Sequence, residues 1–213
     1  MLLLESLKSY RLLLSVVGIA LVKLSHAEYE NKFEATRGCL QFNAKEGYDF
    51  AYPYFPTEGF KNILTTPENV TIFRVGMLGK NAGHVRLSPK QLPYDGTAMN
   101  EILISGWSNT KTEIRRYTRS SPRSTSKVQV LKHQSSDGLL SEFRPLMFTI
   151  EIHPDGVVKL IKDDHVDPMV QFQDSDMSFS YMGFCNWDVP MVYFFDCPMQ
   201  VDQRECNGAV STF

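Results

Sequence analysis

The sequence predicts an all-β protein, an antiparallel β-sandwich of jelly-roll type, and three observations carry that prediction. Aromatic residues alternate with others through YDFAYPY, where Tyr48, Phe50, Tyr52 and Tyr54 recur with a period of two. Successive side chains on an extended strand point to opposite faces, so this period belongs to strands and not to helices. Turn formers punctuate the rest of the chain at short intervals, as TTPEN, LGKNAG, PYDG, SNT, SSPRSTS, SSDG and HPDG, which is the punctuation of hairpins. No stretch sustains an apolar stripe at helical spacing for three turns.

The chain begins with a segment that is not part of this pattern. Lys8 and Arg11 precede an apolar run of eleven residues, 12–22, and Ser25-His26-Ala27 then supplies the small residues of a cleavage site, the composition of a secretory signal peptide. A membrane-spanning helix needs about 20 apolar residues, and Lys23 ends this run too soon. Residues 1–27 are therefore expected to be a signal peptide, and 28–213 a single secreted, extracellular domain with no transmembrane segment. Asn69-Val70-Thr71 is an N-glycosylation sequon, which places Asn69 at the surface. Cys39, Cys185, Cys197 and Cys206 lack any C-x-x-C pair, so in an oxidising compartment they read as two disulfides. Three of them fall in the last thirty residues or so, which favours a bridge from Cys39 to the C-terminal region without selecting its partner.

After the aromatic run at 48–54, residues rich in β-branched and aromatic types predict strands at 70–75, 83–87, 101–107, 111–117, 127–133, 146–152, 157–161, 169–172 and 179–184. The stretch ISGWSNTKTEIRR, 104–116, is written as a hairpin. Ile102 and Ile104 fall on one strand face and Leu103 and Trp107 on the other; Ile114 resumes the alternation after Ser108-Asn109-Thr110. Trp107 is expected to pack as an apolar plate with its indole N–H at the rim, the alternative being a ligand-facing ring. SSPRSTS is expected to be an exposed loop.

Charge excludes one class of partner. The formal net charge is −2, and removal of residues 1–27, with three bases and one acid, takes it to −4; a mildly acidic domain is not a general nucleic-acid binder. The distribution is uneven. Residues 111–132 hold seven bases and one acid, whereas 163–205 hold nine acids and one base. Arg115, Arg116, Arg119 and Arg123 are thus expected to form a surface whose forked donors grip an anionic glycan or a lipid headgroup, unless the two charged regions face and neutralise each other. An extracellular protein is a further partner class.

A sugar site is a second expectation. Trp107 with Asn109, or Trp187 with Asn186 and Asp188, offers the indole plate and polar acceptors that a sugar ring requires. KDDHVD, 162–167, contains metal-ligand residue types without the spacing of a metal loop, so a solvated turn is expected and no metal. His153 falls at the HPDG turn. The sequence has no G-x-S-x-G elbow, no H-E-x-x-H helix and no P-loop, and no catalytic residue is assigned.

Several motifs together resemble the farnesoic acid O-methyltransferase domain. They are Phe73 and Val75, His84 and Leu87, Gly106-Trp107-Ser108-Asn109-Thr110 with Arg115-Arg116, Gly138-Leu139-Leu140-Ser141 with Phe143-Arg144, and Tyr181-Met182-Gly183-Phe184. The resemblance runs from about 48 to 195, departs from the usual pattern near Leu146-Met147-Phe148, and leaves 196–213 as a cysteine-containing tail. It implies methyl transfer from S-adenosylmethionine to a farnesoid acid of juvenile-hormone type. The residues themselves oppose that reading: Gly76-x-x-Gly79-x-x-x-Gly83 has the wrong spacing for a nucleoside-binding loop and no helix follows it. Those glycines are read as turn and bulge positions, and no cofactor is expected. The sequence is thus read as a non-catalytic recognition module for a glycan, lipid or protein, with the methyltransferase and a hollow farnesoid or lipid carrier as alternatives.

Overall fold

The computed structural model describes residues 31–51, 53–136 and 138–200. The expected signal peptide and Cys206 lie outside the described residues. Among those described, no helix is long and apolar enough to cross a membrane.

The strands in chain order are β1 (Leu40–Ala44), β2 (Tyr54–Pro56), β3 (Leu64–Thr65), β4 (Thr71–Leu78), β5 (Gly83–Ser88), β6 (Ala98–Ser105) and β7 (Lys111–Ser121). They continue as β8 (Ser124–Ser135), β9 (Leu146–Ile152), β10 (Val157–Lys162), β11 (Val170–Gln173), β12 (Tyr181–Cys185) and β13 (Met191–Cys197). Two antiparallel sheets result. One has seven strands in the order β1-β13-β4-β9-β10-β11, with β3 alongside β4; the other has six in the order β2-β12-β5-β6-β7-β8. The expected all-β antiparallel sandwich is the observed fold.

Alternation explains how the sheets face each other. Phe73, Val75 and Met77 of β4, Phe148 and Ile150 of β9, and Val158 and Leu160 of β10 point inward from the larger sheet. Val85 and Leu87 of β5, Ile102 and Ile104 of β6, Ile114 of β7, and Met182 and Phe184 of β12 meet them from the smaller one. Each such side chain contributes about 1.5–3 kcal/mol of burial free energy, so a one-residue register slip in any of these strands would turn that contribution out to water. Tyr193 stacks on Phe184 with centroids 4.7 Å apart, and its hydroxyl accepts from the His84 N–H at 2.7 Å and donates to the Cys185 carbonyl at 2.5 Å. A core residue therefore fixes the strand position from which His84 projects.

Three expectations change. The aromatic run at 48–54 is not a strand: β2 covers only Tyr54–Pro56, and 45–51 crosses the outer face of the six-stranded sheet as an irregular strap. Pro53 cannot donate to a ladder there, and Tyr48 packs down onto the sheet. SSPRSTS is a hairpin tip and not a loop, because β7 runs to Ser121 and β8 starts at Ser124, leaving Pro122 to set the first corner of a tight turn. Strands β1 and β13 were not foreseen. In β13 almost every side chain is buried, so the alternation that betrays a half-exposed strand is missing.

Cys39 and Cys197 form a disulfide, tying the segment before β1 to the end of β13. Cys197 is thus part of the fold and not of a tail. Cys185 is buried with a free thiol, so it does not supply the second bridge expected from the cysteine count. Burial pushes that thiol up to about 12, with Glu101 adding to the shift and Arg86 and Arg119 opposing it. A thiol held protonated and shielded is a poor nucleophile. Alkylation of the folded protein near pH 8 is expected to leave the Cys185 peptide unlabelled by mass spectrometry, whereas the urea-unfolded chain labels there; rapid native labelling would refute this burial.

Candidate functional site

The outer face of the six-stranded sheet carries an unusual set of side chains. Register places Cys185, His84, Leu103 and Glu113 on one rung across β12, β5, β6 and β7, and Gly183, Arg86, Glu101 and Arg115 on the next. The strap covers this second rung. Glu101, fully buried, accepts from Arg86 at 2.9 Å, from the Tyr117 hydroxyl at 3.1 Å and from the Tyr48 hydroxyl at 3.1 Å. Burial alone would raise its carboxyl, yet the neighbouring His84 and Arg86 outweigh burial and hold it well below the ordinary carboxylate range. Gly183 is required by the same packing: a Cβ there would lie 2.7 Å from the Tyr54 ring, which explains the glycine of Tyr181-Met182-Gly183-Phe184.

Beside the strap, at the end of the sheet, three turns enclose a cleft of about 360 Å³. Asn81 and Ala82 come from the β4–β5 turn, Gly106, Trp107 and Ser108 from the β6–β7 turn, and Trp187 and Asp188 from the β12–β13 turn, while His84, Leu103 and Arg115 project from the strands. Trp107 and Trp187 are 48% and 59% exposed. Trp107 is therefore half-exposed on the cleft wall and not the packed plate. Arg115 and Lys111 lie 5.8 and 5.7 Å from its centroid, and Trp187 meets the Tyr48 ring edge-on at 5.1 Å.

The backbone that presents Trp107 is strained. Ser105, Trp107, Ser108 and Asn109 all have positive φ, from 48 to 68°, a conformation that costs roughly 1–2 kcal/mol per non-glycine residue. Local bonds hold it: Thr110 N–H donates to the Gly106 carbonyl at 3.0 Å and the Thr110 hydroxyl to the Trp107 carbonyl at 2.8 Å. Asn109 does not face the cleft as a sugar acceptor. Its amide donates to the Leu140 carbonyl at 2.9 Å and accepts from the Leu140 N–H at 3.2 Å. The Gly-Trp-x-Asn-Thr and Gly-Leu-Leu motifs are thus two halves of one clamp, and stored strain of this kind is concentrated at functional sites.

Apart from Arg115, which pairs with Glu113 and Glu101, the polar side chains lining the cleft make no hydrogen bond among the described residues. Both ring nitrogens of His84, a residue 2% exposed, lack a hydrogen-bond partner; its Nδ1 stands 3.5 Å from Glu101, a charge contact without hydrogen-bond geometry. Burial keeps this imidazole below its usual range, against the pull of Glu101. Asn81 and Asp188 make no side-chain hydrogen bond among the described residues. No signal in the sequence marked Asn81, and His84 stood out only as part of a family motif, because their convergence with Trp107 and Trp187 depends on which turns share one end of the sandwich.

The four arginines expected to grip an anion do not share a surface. Arg115 pairs with Glu113, Arg116 with Asp174 and Asp176, and Arg119 is 1% exposed, stacked 4.6 Å from the Tyr48 ring. Arg123 is exposed at the β7–β8 tip. Strand alternation separates Arg115 from Arg116, and the acidic 163–205 region neutralises Arg116. In KDDHVD, Asp163 pairs with Arg74, while Asp164 is a positive-φ turn residue; His153 is 3.3 Å from Glu151. His84, Glu101 and Cys185 do bring nitrogen, oxygen and sulfur donors within 4.8 Å of one another. Arg86 and the buried Arg119 guanidinium oppose a dication there, since like charges repel strongly where water is excluded.

A carbohydrate-binding module from Bacillus subtilis is similar to this chain at 13% identity and TM-score 0.39, over 62% of this chain and 87% of the module. A Bacillus licheniformis β-glucanase gives 11% and 0.40 over 81% and 95%, and the binding module of a Ruminococcus gnavus sialidase 9% and 0.32 over 77% and 95%. Likenesses this remote carry no functional argument. No curated protein gives a significant match. Residues 48–199, however, match the family model for farnesoic acid O-methyltransferase, extending past the motifs to the end of β13, and the chain belongs to that family.

Proposed function

We propose that this domain is an extracellular recognition module that binds a saccharide in the cleft between Trp107 and Trp187. One observation carries the reading: two half-exposed indoles line a single hollow in which the side chains of Asn81, His84 and Asp188 have no hydrogen-bond partner among the described residues, Arg115 alone being paired, with Glu113 and Glu101. A sugar ring presents an apolar C–H face to an indole and hydroxyls at its edge, so it meets both kinds of group at once. A cleft of about 360 Å³ lies within the usual range of roughly 300–1,000 Å³ for small-ligand sites. The Cys39–Cys197 bridge and the exposed Asn69 at the β3–β4 turn support an oxidising, extracellular setting.

The family name implies S-adenosylmethionine, and the glycines that would approach it do not fit. Gly76 and Gly83 lie inside antiparallel β4 and β5. A Cβ at Gly76 would meet Met147 Sδ at 2.1 Å, and one at Gly79 would meet Met191 Sδ at 2.1 Å. These glycines make room for methionines and open no cradle for a nucleoside.

Printed glycans provide the screen and calorimetry the affinity. Trp107→Ala and Trp187→Ala are each expected to weaken the strongest saccharide ligand about tenfold or more, equivalent to about 1.4 kcal/mol, with the far-ultraviolet spectrum unchanged. Undiminished affinity in both variants would move the site elsewhere.

A further inference from the structure

The position of Tyr48 limits what the cleft can hold. A linear glycan lying along the outer face of the six-stranded sheet would leave the His84–Leu103 rung and pass over the Arg86–Glu101 rung. That second rung is taken. The Tyr48 ring sits between the Arg86 and Arg119 guanidinium groups, at 4.5 and 4.6 Å, and meets His84 and Trp187 edge-on, both at 5.1 Å. Its hydroxyl hydrogen-bonds Glu101 at 3.1 Å, so the buried charges that a second sugar would engage are already satisfied by the protein's own aromatic ring.

The strap that carries Tyr48 is pinned on both sides. Gly47 N–H donates to Asn186 Oδ1 at 2.8 Å, next to Trp187 in sequence, and Tyr94 donates to the Ala51 carbonyl at 2.9 Å. Arg86 donates to the Tyr48 carbonyl at 3.2 Å. Beyond the strap lies a separate hollow of about 460 Å³ at the β7–β8 tip, lined among others by Asp49, Pro122 and Arg123. The strap thus divides the face into two hollows where an open sheet would offer a through groove.

Charge narrows the ligand further. Of the cleft's lining residues, Arg115 is already matched by Glu113, and Asp188 is an acid with no partner among the described residues. The lining itself therefore offers no surplus cation to a sulfate or a carboxylate, the Lys111 ammonium, unpaired among the described residues, standing outside it, 5.7 Å from the Trp107 ring centroid, whereas an unpaired carboxylate is suited to accept from two adjacent sugar hydroxyls.

We propose that the cleft takes the terminal one or two rings of a neutral saccharide, and that Tyr48 sets this limit by closing the groove. This rests on the saccharide reading of the cleft. The test is a length series: methyl glycosides and linear oligomers of glucose, galactose, mannose, N-acetylglucosamine and N-acetylgalactosamine, immobilised at the reducing end and titrated with the whole oxidised protein. Affinity is expected to level off by the disaccharide, within about twofold thereafter, and the methyl glycoside in excess should displace the longest oligomer. Affinity that climbs about tenfold or more beyond the disaccharide would overturn the end-on limit while leaving the saccharide reading standing. Binding of no member of the set, or of sulfated and uronic oligomers alone in a parallel series, would overturn the neutral-ligand proposal; the first result removes the saccharide reading as well. Tyr48→Ala is expected to restore a gain with length, and a folded variant without that gain counts against the role of Tyr48. If the variant does not fold, the unaltered protein's length series decides by itself.

Discussion

Glu101→Ala is expected to lower the unfolding free energy by about 3–5 kcal/mol, the cost of leaving a buried cation without its counter-ion. Arg86 is 2% exposed and has no other carboxylate partner among the described residues, while the Tyr48 and Tyr117 hydroxyls lose their common acceptor. Urea unfolding followed by tryptophan fluorescence measures the change, and a loss under about 1 kcal/mol, the worth of an exposed ion pair, would mean that Arg86 finds water or another partner. The pH dependence has a definite sign. Because the folded carboxyl is held below its unfolded value, the contribution of Glu101 is complete above about pH 4.3 and is lost as pH falls through the folded value. His84, whose folded value is also depressed, acts in the same direction from about pH 6.5 downward, since the unfolded chain then binds the proton more readily. Glu101→Gln should remove the carboxylate's share of the acid slope and leave the histidine's.

The paired change Cys39→Ser with Cys197→Ser is expected to cost about 2–5 kcal/mol. The two cysteines are 158 residues apart, so the bridge closes most of the chain into one loop in the unfolded state, and a loop of that size loses entropy equivalent to about 5 kcal/mol in the chain-entropy treatment. In the folded state the bridge lies beside the β1–β13 ladder, where Leu40 already pairs with Phe195. Its effect should therefore appear in global unfolding and leave the cleft at the far strand ends unaltered. Equal urea midpoints for the bridged and serine forms would place the stability of the β1–β13 edge in the ladder and its packing alone.

How legible each part was depends on how local its cause is. Strands β9 and β10 were readable almost to the residue, because LMFTIEI and VVKLI alternate and are bounded by Pro-Asp-Gly turn chemistry. The same rule failed at 48–54, where the alternating aromatics belong to a strap, since period two records facing and does not record whether a neighbour completes the ladder. It also missed β13, buried on both faces. Within the site, Trp107 and Trp187 were visible as isolated aromatic loops, yet 80 positions separate them in sequence, and nothing local says that their turns meet. Asn109 looked like a ligand group and is a clamp on Leu140; the basic run looked like one surface and is split by the pleat between Arg115 and Arg116.

The sequence by itself determined the β class, the family and most strand positions, because these follow from side-chain period, turn chemistry and contiguous motifs. Only the tertiary structure decided the cleft, the Tyr48 plug and the Glu101–Arg86 pair. Each of these joins residues from turns or strands far apart in the chain, and their distances are set by strand order and register, which short-range patterns do not encode.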